Sequence, residues 1–209
     1  MPFEEKEYKW SLKTSGDFRI LREMLKKSPI FSFFRITDKF ILIKDIYFDA
    51  EDNSLSRAKT ALRLRRAEGK YEITLKSAGV VKDGLYERRE ITKRLRIPTK
   101  RHALANLQKF FAEACKNPAA PALKEIFIIE TRRQQFNITN EKLTAQLCLD
   151  SSFIKAGKKS LRLYEMEFEY KKGSFALFGE TAEMISKITG IAGSKKSKVA
   201  SAVGLLKNN

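Results

Sequence analysis

The first stretch of the chain alternates. Between residues 3 and 12, Glu5, Glu7, Lys9 and Ser11 fall on one side of a period-two repeat, and Tyr8, Trp10 and Leu12 on the other. Lys6 lies near the open end of the second set. Later segments repeat this contrast of charged against apolar. Residues 61–66 set Arg63 and Arg65 against Leu62 and Leu64, and residues 71–76 set Glu72, Thr74 and Lys76 against Tyr71, Ile73 and Leu75. The Glu68-Gly69 pair between them predicts a hairpin turn. Residues 85–95 place Arg88, Glu90 and Thr92 opposite Arg89 and Ile91. Residues 163–171 place Glu165, Glu167, Glu169 and Lys171 opposite Met166, Phe168 and Tyr170. Further strands are expected over 40–48, 126–138 and 143–150, with 77–84 as a loop.

Helical spacing appears in four places. Phe18, Leu21, Met24 and Leu25 follow a Ser15-Gly16-Asp17 start, and Leu104, Leu107, Phe110, Phe111 and Ala114 recur through 99–115. Two more helices are predicted near the C-terminus, over 176–189 and 195–207.

Composition narrows the class. With 209 residues, 43% of them hydrophobic and 15 of them Phe, the chain has material for one buried domain. The N-terminus lacks a basic-then-apolar leader pattern. No apolar run approaches the ~20 residues of a helical membrane span. A cytoplasmic protein without a membrane partner is expected. Cys115 and Cys148 form no CxxC pair and are read as reduced core thiols. His102 is the single histidine and is read as a surface residue, so acid–base or metal chemistry has to run on carboxylates.

The formal charge of +17 predicts an anionic partner: a phosphate ester, polyphosphate, nucleic acid or an acidic membrane surface. Lys195, Lys196 and Lys198 make a local basic knot. The inward polar faces sort by sign: glutamates come from the first and last strands, Arg and Lys from the middle ones. A sheet closed on itself would make those ends neighbours, with an acidic wall facing a basic one. Oxygen ligands without histidine favour Mg²⁺ or Mn²⁺ over Zn²⁺.

Taken together, Glu5-x-Glu7-x-Lys9, Tyr47-Phe48-Asp49, Ala61-Leu62-Arg63-Leu64-Arg65, Thr74-x-Lys76 and Glu165-x-Glu167-x-Glu169 resemble the CYTH, or triphosphate tunnel metalloenzyme, family. The likeness runs from residue 3 to 173 and extends to the tail, where Leu177-Phe178 and Ser197-Lys198 look like the family's closing helices. It covers the chain as one domain, 1–209, without room for the helical CHAD domain of many members. The resemblance implies an α+β fold: an eight-stranded antiparallel β-barrel over about 3–171 with helices outside, including those at about 175–207. It also implies divalent-metal-dependent hydrolysis of a linear triphosphate. Inorganic tripolyphosphate is the first expectation. Thiamine or nucleoside triphosphate, or a non-catalytic polyphosphate- or RNA-binding module, are the alternatives.

Carried onto this chain, the family's metal ligands fall on Glu5, Glu7, Glu90, Asp150, Glu167 and Glu169. Glu5, Glu7 and Lys9 take the catalytic positions. Lys9, Arg63, Arg65, Lys76, Arg88, Lys198 and one of Arg132 or Arg133 grip phosphate oxygens. Thr92 departs from the family pattern, because many members carry a carboxylate there.

Overall fold

The computed structural model describes residues 2–207 apart from 83, 97–98, 118–119 and 195–196, and leaves out the side chains of 2–3, 24–26, 29–30 and 207. Lys195 and Lys196 of the basic knot, and the side chains of Met24 and Leu25, lie outside the described residues. In chain order come β1 (Pro2–Leu12), α1 (Asp17–Lys27), the one-turn α2 (Pro29–Ser32), β2 (Arg35–Ala50) and the one-turn α3 (Ser54–Arg57). Then follow β3 (Ala61–Ala67), β4 (Lys70–Lys76), β5 (Val80–Lys82), β6 (Leu85–Leu95) and α4 (Lys100–Ala114). The chain continues through β7 (Leu123–Thr139), β8 (Leu143–Ala156), β9 (Lys159–Gly173), α5 (Phe175–Thr189) and α6 (Lys198–Lys207).

The strands pair antiparallel in the order β1-β9-β8-β7-β2-β3-β4-β6, and β6 pairs back to β1. That last pairing closes an eight-stranded barrel, the α+β architecture that the family resemblance implies. Closure forces alternate residues of every strand inward, so a single register decides which charges meet. Tight turns hold the register. Between β3 and β4, Glu68 and Gly69 both have positive φ, 49° and 74°, the pattern of a two-residue hairpin whose twist matches its strands.

The outward faces are apolar where helices cover them. α1, α2 and α5 lie over β1, β9, β8 and β7, burying Trp10, Met166, Phe168 and Leu147 against Leu21, Phe31, Phe178 and Ile185. The Trp10 indole Nε1 donates to Ser186 Oγ at 2.8 Å, which satisfies the one polar atom of that ring. α4 covers β2, β3 and β4 with Ala103, Leu107, Phe110 and Phe111. Its first turn is capped by Thr99, whose hydroxyl accepts from the His102 amide. At one end of the barrel the inward positions themselves turn apolar. Tyr47, Phe127, Ile129 and Ile154 pack there against Ala202 of α6.

Several expectations are corrected. β2 begins at Arg35, because 35–42 pair with β7 alone and lie mostly exposed, which leaves no alternation to read. β8 runs on through Ser151 and Ser152 to Ala156. Ser152 is buried and shares a 2.8 Å hydrogen bond with the Thr131 hydroxyl, so the serines are barrel positions rather than a strand end. The 77–84 loop contains β5, which follows β4 along the same edge of β6. On α4 it is Ala103, not Leu104, that is buried. Cys115 is exposed rather than a core thiol, whereas Cys148 is buried.

Candidate functional site

The barrel encloses a tunnel of about 390 Å³ lined by Glu5, Glu7 and Lys9 of β1, Arg63 and Arg65 of β3, and Lys76 of β4. Arg88 and Glu90 of β6, Arg133 of β7, Asp150 of β8, Glu167 and Glu169 of β9 and Lys198 of α6 complete the sequence-derived set. The two glutamate strands are direct neighbours: Glu7 faces Glu169 and Lys9 faces Glu167. Arg132 is the exception. It is exposed on the outer face, because only odd-numbered positions of β7 point inward here, and Arg133 is the tunnel residue.

Acidic and basic walls do not stand apart. The tunnel carboxylates are engaged by cations of their own strand, of other strands and, at Lys198, of α6. Arg88 Nε donates to Glu5 at 2.5 Å and its Nη2 donates to Glu7 at 2.9 Å. Lys76 pairs with Glu5 at 3.3 Å and also contacts Glu90. The Lys9 ammonium bridges Glu7 at 3.0 Å and Glu167 at 3.2 Å. Arg133 forks onto Asp150, at 2.7 and 2.6 Å, and reaches Glu167 at 2.6 Å. Lys198 Nζ stands 2.8 Å from each of Asp150, Glu165 and Glu167. This corrects the expectation of two separated walls. The strand order puts Glu90 among the basic strands and Arg133 beside β8 and β9.

These contacts divide the carboxylates into two kinds. Burial pushes Glu5 up, yet Lys76 and Arg88 prevail and hold it well below the usual carboxylate range. Glu167 is likewise held low against burial by Lys198, Lys9 and Arg133. Glu7 goes the other way. Burial raises its pKa, and the neighbouring Glu5 and Glu167 charges add to the rise. Glu90 is also raised, by burial first and by the neighbouring Glu5 carboxylate. Lys76 is lowered by burial and by Arg88, whereas Lys9 and Lys198 are raised because their carboxylate partners outweigh burial.

Some tunnel groups have no counterpart in the sequence-derived set. Asp45 on β2 accepts two hydrogen bonds from Arg65, both 2.8 Å, and its pKa falls to about 2 because Arg65 and Arg63 outweigh its burial. Its signal was the spacing Ile43-x-Asp45-x-Tyr47, masked by apolar residues on both faces of β2. Glu165, already read on the polar face of β9, does not line the tunnel but is buried under Lys198. Thr92 hydrogen-bonds Thr74, whose hydroxyl also accepts from Arg63 Nη2 at 3.2 Å. The family carboxylate is thus replaced by a hydroxyl chain reaching a guanidinium. Arg63 Nε is buried and has no hydrogen-bond partner among the described residues, leaving a donor for an incoming oxygen.

The donor set suits a hard divalent cation. It consists of carboxylate oxygens, and His102 lies on the surface at the start of α4. Among the described residues no three acidic, His or Cys side chains already converge with metal-ligand geometry. The carboxylates close on ammonium and guanidinium groups instead.

Known proteins share sequence or fold with this chain. A Haemophilus influenzae inorganic triphosphatase is 25% identical over 134 residues, which cover 64% of this chain and 37% of that protein. This chain therefore matches little more than a third of that relative's length. Among solved structures, a Hippeastrum protein, HpAC1, assigned as an adenylyl cyclase and reported with a dominant triphosphatase activity, superposes with a TM-score of 0.66. It is 18% identical, with 96% of this chain and 95% of that one covered. A Bacillus halodurans protein assigned as an adenylate cyclase gives 0.64 at 24% identity, covering 96% and 97%. The Mimivirus capping enzyme triphosphatase gives 0.51 at 12% identity, covering 90% and 89%. A sequence model of the CYTH domain matches residues 4–203. With that match over nearly its whole length, the chain belongs to the CYTH domain family.

Proposed function

We propose that the tunnel binds a linear triphosphate and hydrolyses a phosphoric anhydride bond, with inorganic tripolyphosphate as the substrate and Mg²⁺ or Mn²⁺ required. The observation that carries this reading is one tunnel lined by Glu5, Glu7, Glu167 and Glu169, with Glu7 facing Glu169 across the β1–β9 pairing, ringed by Arg and Lys. The likeness to a curated inorganic triphosphatase supports the same reading.

In this mechanism Arg63, Arg65, Lys76, Arg88, Arg133 and Lys198 take phosphate oxygens and stabilise charge building on them in the transition state. Arg63 Nε contributes a donor that needs no protein bond broken. Glu7, whose carboxyl pKa is raised, orients the attacking water and accepts its proton. Lys9, beside it, holds the leaving or attacking oxygen. A divalent cation held by Glu5, Glu7 and Glu90, or by Asp150, Glu167 and Glu169, would polarise the phosphate and activate water.

Phosphate release should be measured from tripolyphosphate, pyrophosphate, ATP and thiamine triphosphate, with Mg²⁺, with Mn²⁺ and with chelator. Release from tripolyphosphate that stops in chelator is expected. Metal-independent turnover, or none from any triphosphate, would overturn the reading.

A further inference from the structure

The tunnel does not account for the charge of this protein. Its lining carries nine Lys and Arg against eight Asp and Glu, a formal +1 of the chain's +17. The remaining +16 lies elsewhere, and one part of it is organised. On the outer face a single row of side chains runs directly across five neighbouring strands: Arg66, Lys44, Glu130, Phe153 and Arg162. Four interstrand steps make this row about 19 Å long. It floors a groove of about 680 Å³ that Arg132 also lines.

Within the groove, Glu130 is neutralised twice, by Lys44 at 2.9 Å and Lys155 at 3.5 Å. Arg66, Arg132 and Arg162 are exposed and have no carboxylate partner among the described residues. The Phe153 ring is flanked by the Arg162 guanidinium at 5.6 Å and the Lys155 ammonium at 5.4 Å. Unpaired guanidiniums along a track, with an aromatic ring and its cations between them, match the chemistry that grips a phosphate chain and stacks an unpaired base.

We propose that this outer groove is a binding site for single-stranded nucleic acid, separate from the tunnel. Arg66, Arg132 and Arg162 take successive phosphates, and a base stacks at Phe153. A duplex fits less well, because its bases are already stacked and unavailable to the ring. The tunnel's triphosphate reading is not needed for this binding.

The test is fluorescence anisotropy of the full chain with a labelled 12-nucleotide RNA, in chelator so that no turnover intervenes, over a series of salt concentrations. The triple variant R66E/R132E/R162E should bind at least about tenfold more weakly, with a log–log salt slope shallower by about 2. F153A should weaken RNA binding at least about fivefold while leaving an inorganic polyphosphate of equal length unaffected. None of the four residues lines the tunnel, so tripolyphosphate turnover and melting temperature should stay as in the native protein. RNA binding unchanged in the triple variant overturns the site. Polyphosphate bound as tightly as RNA, with F153A neutral for both, overturns the assignment to nucleic acid.

Discussion

Asp45 holds Arg65 in a two-pronged grip. Nε donates to Oδ1 and Nη2 to Oδ2, both at 2.8 Å, from a wall position where the carboxylate is only 6% exposed. A guanidinium fixed this way presents its remaining edge in one orientation. Asp45→Asn should raise KM for tripolyphosphate and lower kcat together, by about tenfold each, as expected for a contact that positions both ground and transition state. Steady-state kinetics of the folded variant decide it, and unchanged constants would remove Asp45 from the site.

The same pair sets an acid limit on stability. Because the Asp45 pKa falls to about 2 in the fold, its contribution is complete above the unfolded value near 4. It is lost as pH falls from there toward 2, and amounts to about 2 kcal/mol. Urea midpoints of native and Asp45→Asn protein should therefore differ at pH 6 and converge near pH 2.

Glu7 predicts the opposite pH behaviour. Its carboxyl is raised by burial and by Glu5 and Glu167, so it protonates at a higher pH than an ordinary glutamate. In chelator, the Glu7 carboxyl should titrate above the usual value of about 4.3. A carboxyl titrating at or below that value in a side-chain NMR titration would take the raised state away from Glu7.

Glu5 and Glu167 are expected to be indispensable. Glu5→Gln and Glu167→Gln should each reduce metal-dependent phosphate release by at least about a hundredfold. Circular dichroism should show the barrel retained. Full turnover in either variant would count heavily against the carboxylate assignment. Arg63→Ala should lose about tenfold or more in kcat/KM, since it removes a tunnel-lining guanidinium whose buried Nε has no hydrogen-bond partner among the described residues.

Phe178 tests the outer cover. Its side chain is fully buried on α5, with the rings of Phe168 at 4.7 Å, Tyr8 at 5.4 Å and Tyr170 at 5.5 Å. Phe178→Ala should cost about 3–5 kcal/mol in chemical denaturation. A loss under about 1 kcal/mol would mean that α5 is not a main support of the barrel.

Legibility in the sequence followed alternation. β1, β3, β4 and β9 have one polar and one apolar face, β6 a polar face opposite a mixed one, and the inward residues read from them line the tunnel apart from Ser11, Thr74 and Glu165. Where both faces are polar, as over 37–39 of β2, or both apolar, as around Asp45, the period vanishes and with it the side chain's direction. Arg132 and Arg133 show the limit most plainly. Adjacent cations differ in face by one residue of register, and only the pairing of Arg133 with Asp150 fixes which one turns inward. The cross-strand ion pairs were beyond reach for a related reason, since they depend on strand order rather than on any one strand. The outer row from Arg66 to Arg162 was hidden in the same way, being assembled from five separate segments.

Insertion of β1 between β6 and β9 also shapes how the protein is made. During synthesis, β1 leaves the ribosome first, but its partner along one edge is among the last strands to emerge, some 160 residues later. Until then the nascent sheet has an open seam with unpaired backbone and a half-neutralised set of glutamates. Such long-range closure slows folding and prolongs exposure to wrong partners. Expression yield should therefore depend more on how fast that seam shuts than on the depth of the finished core.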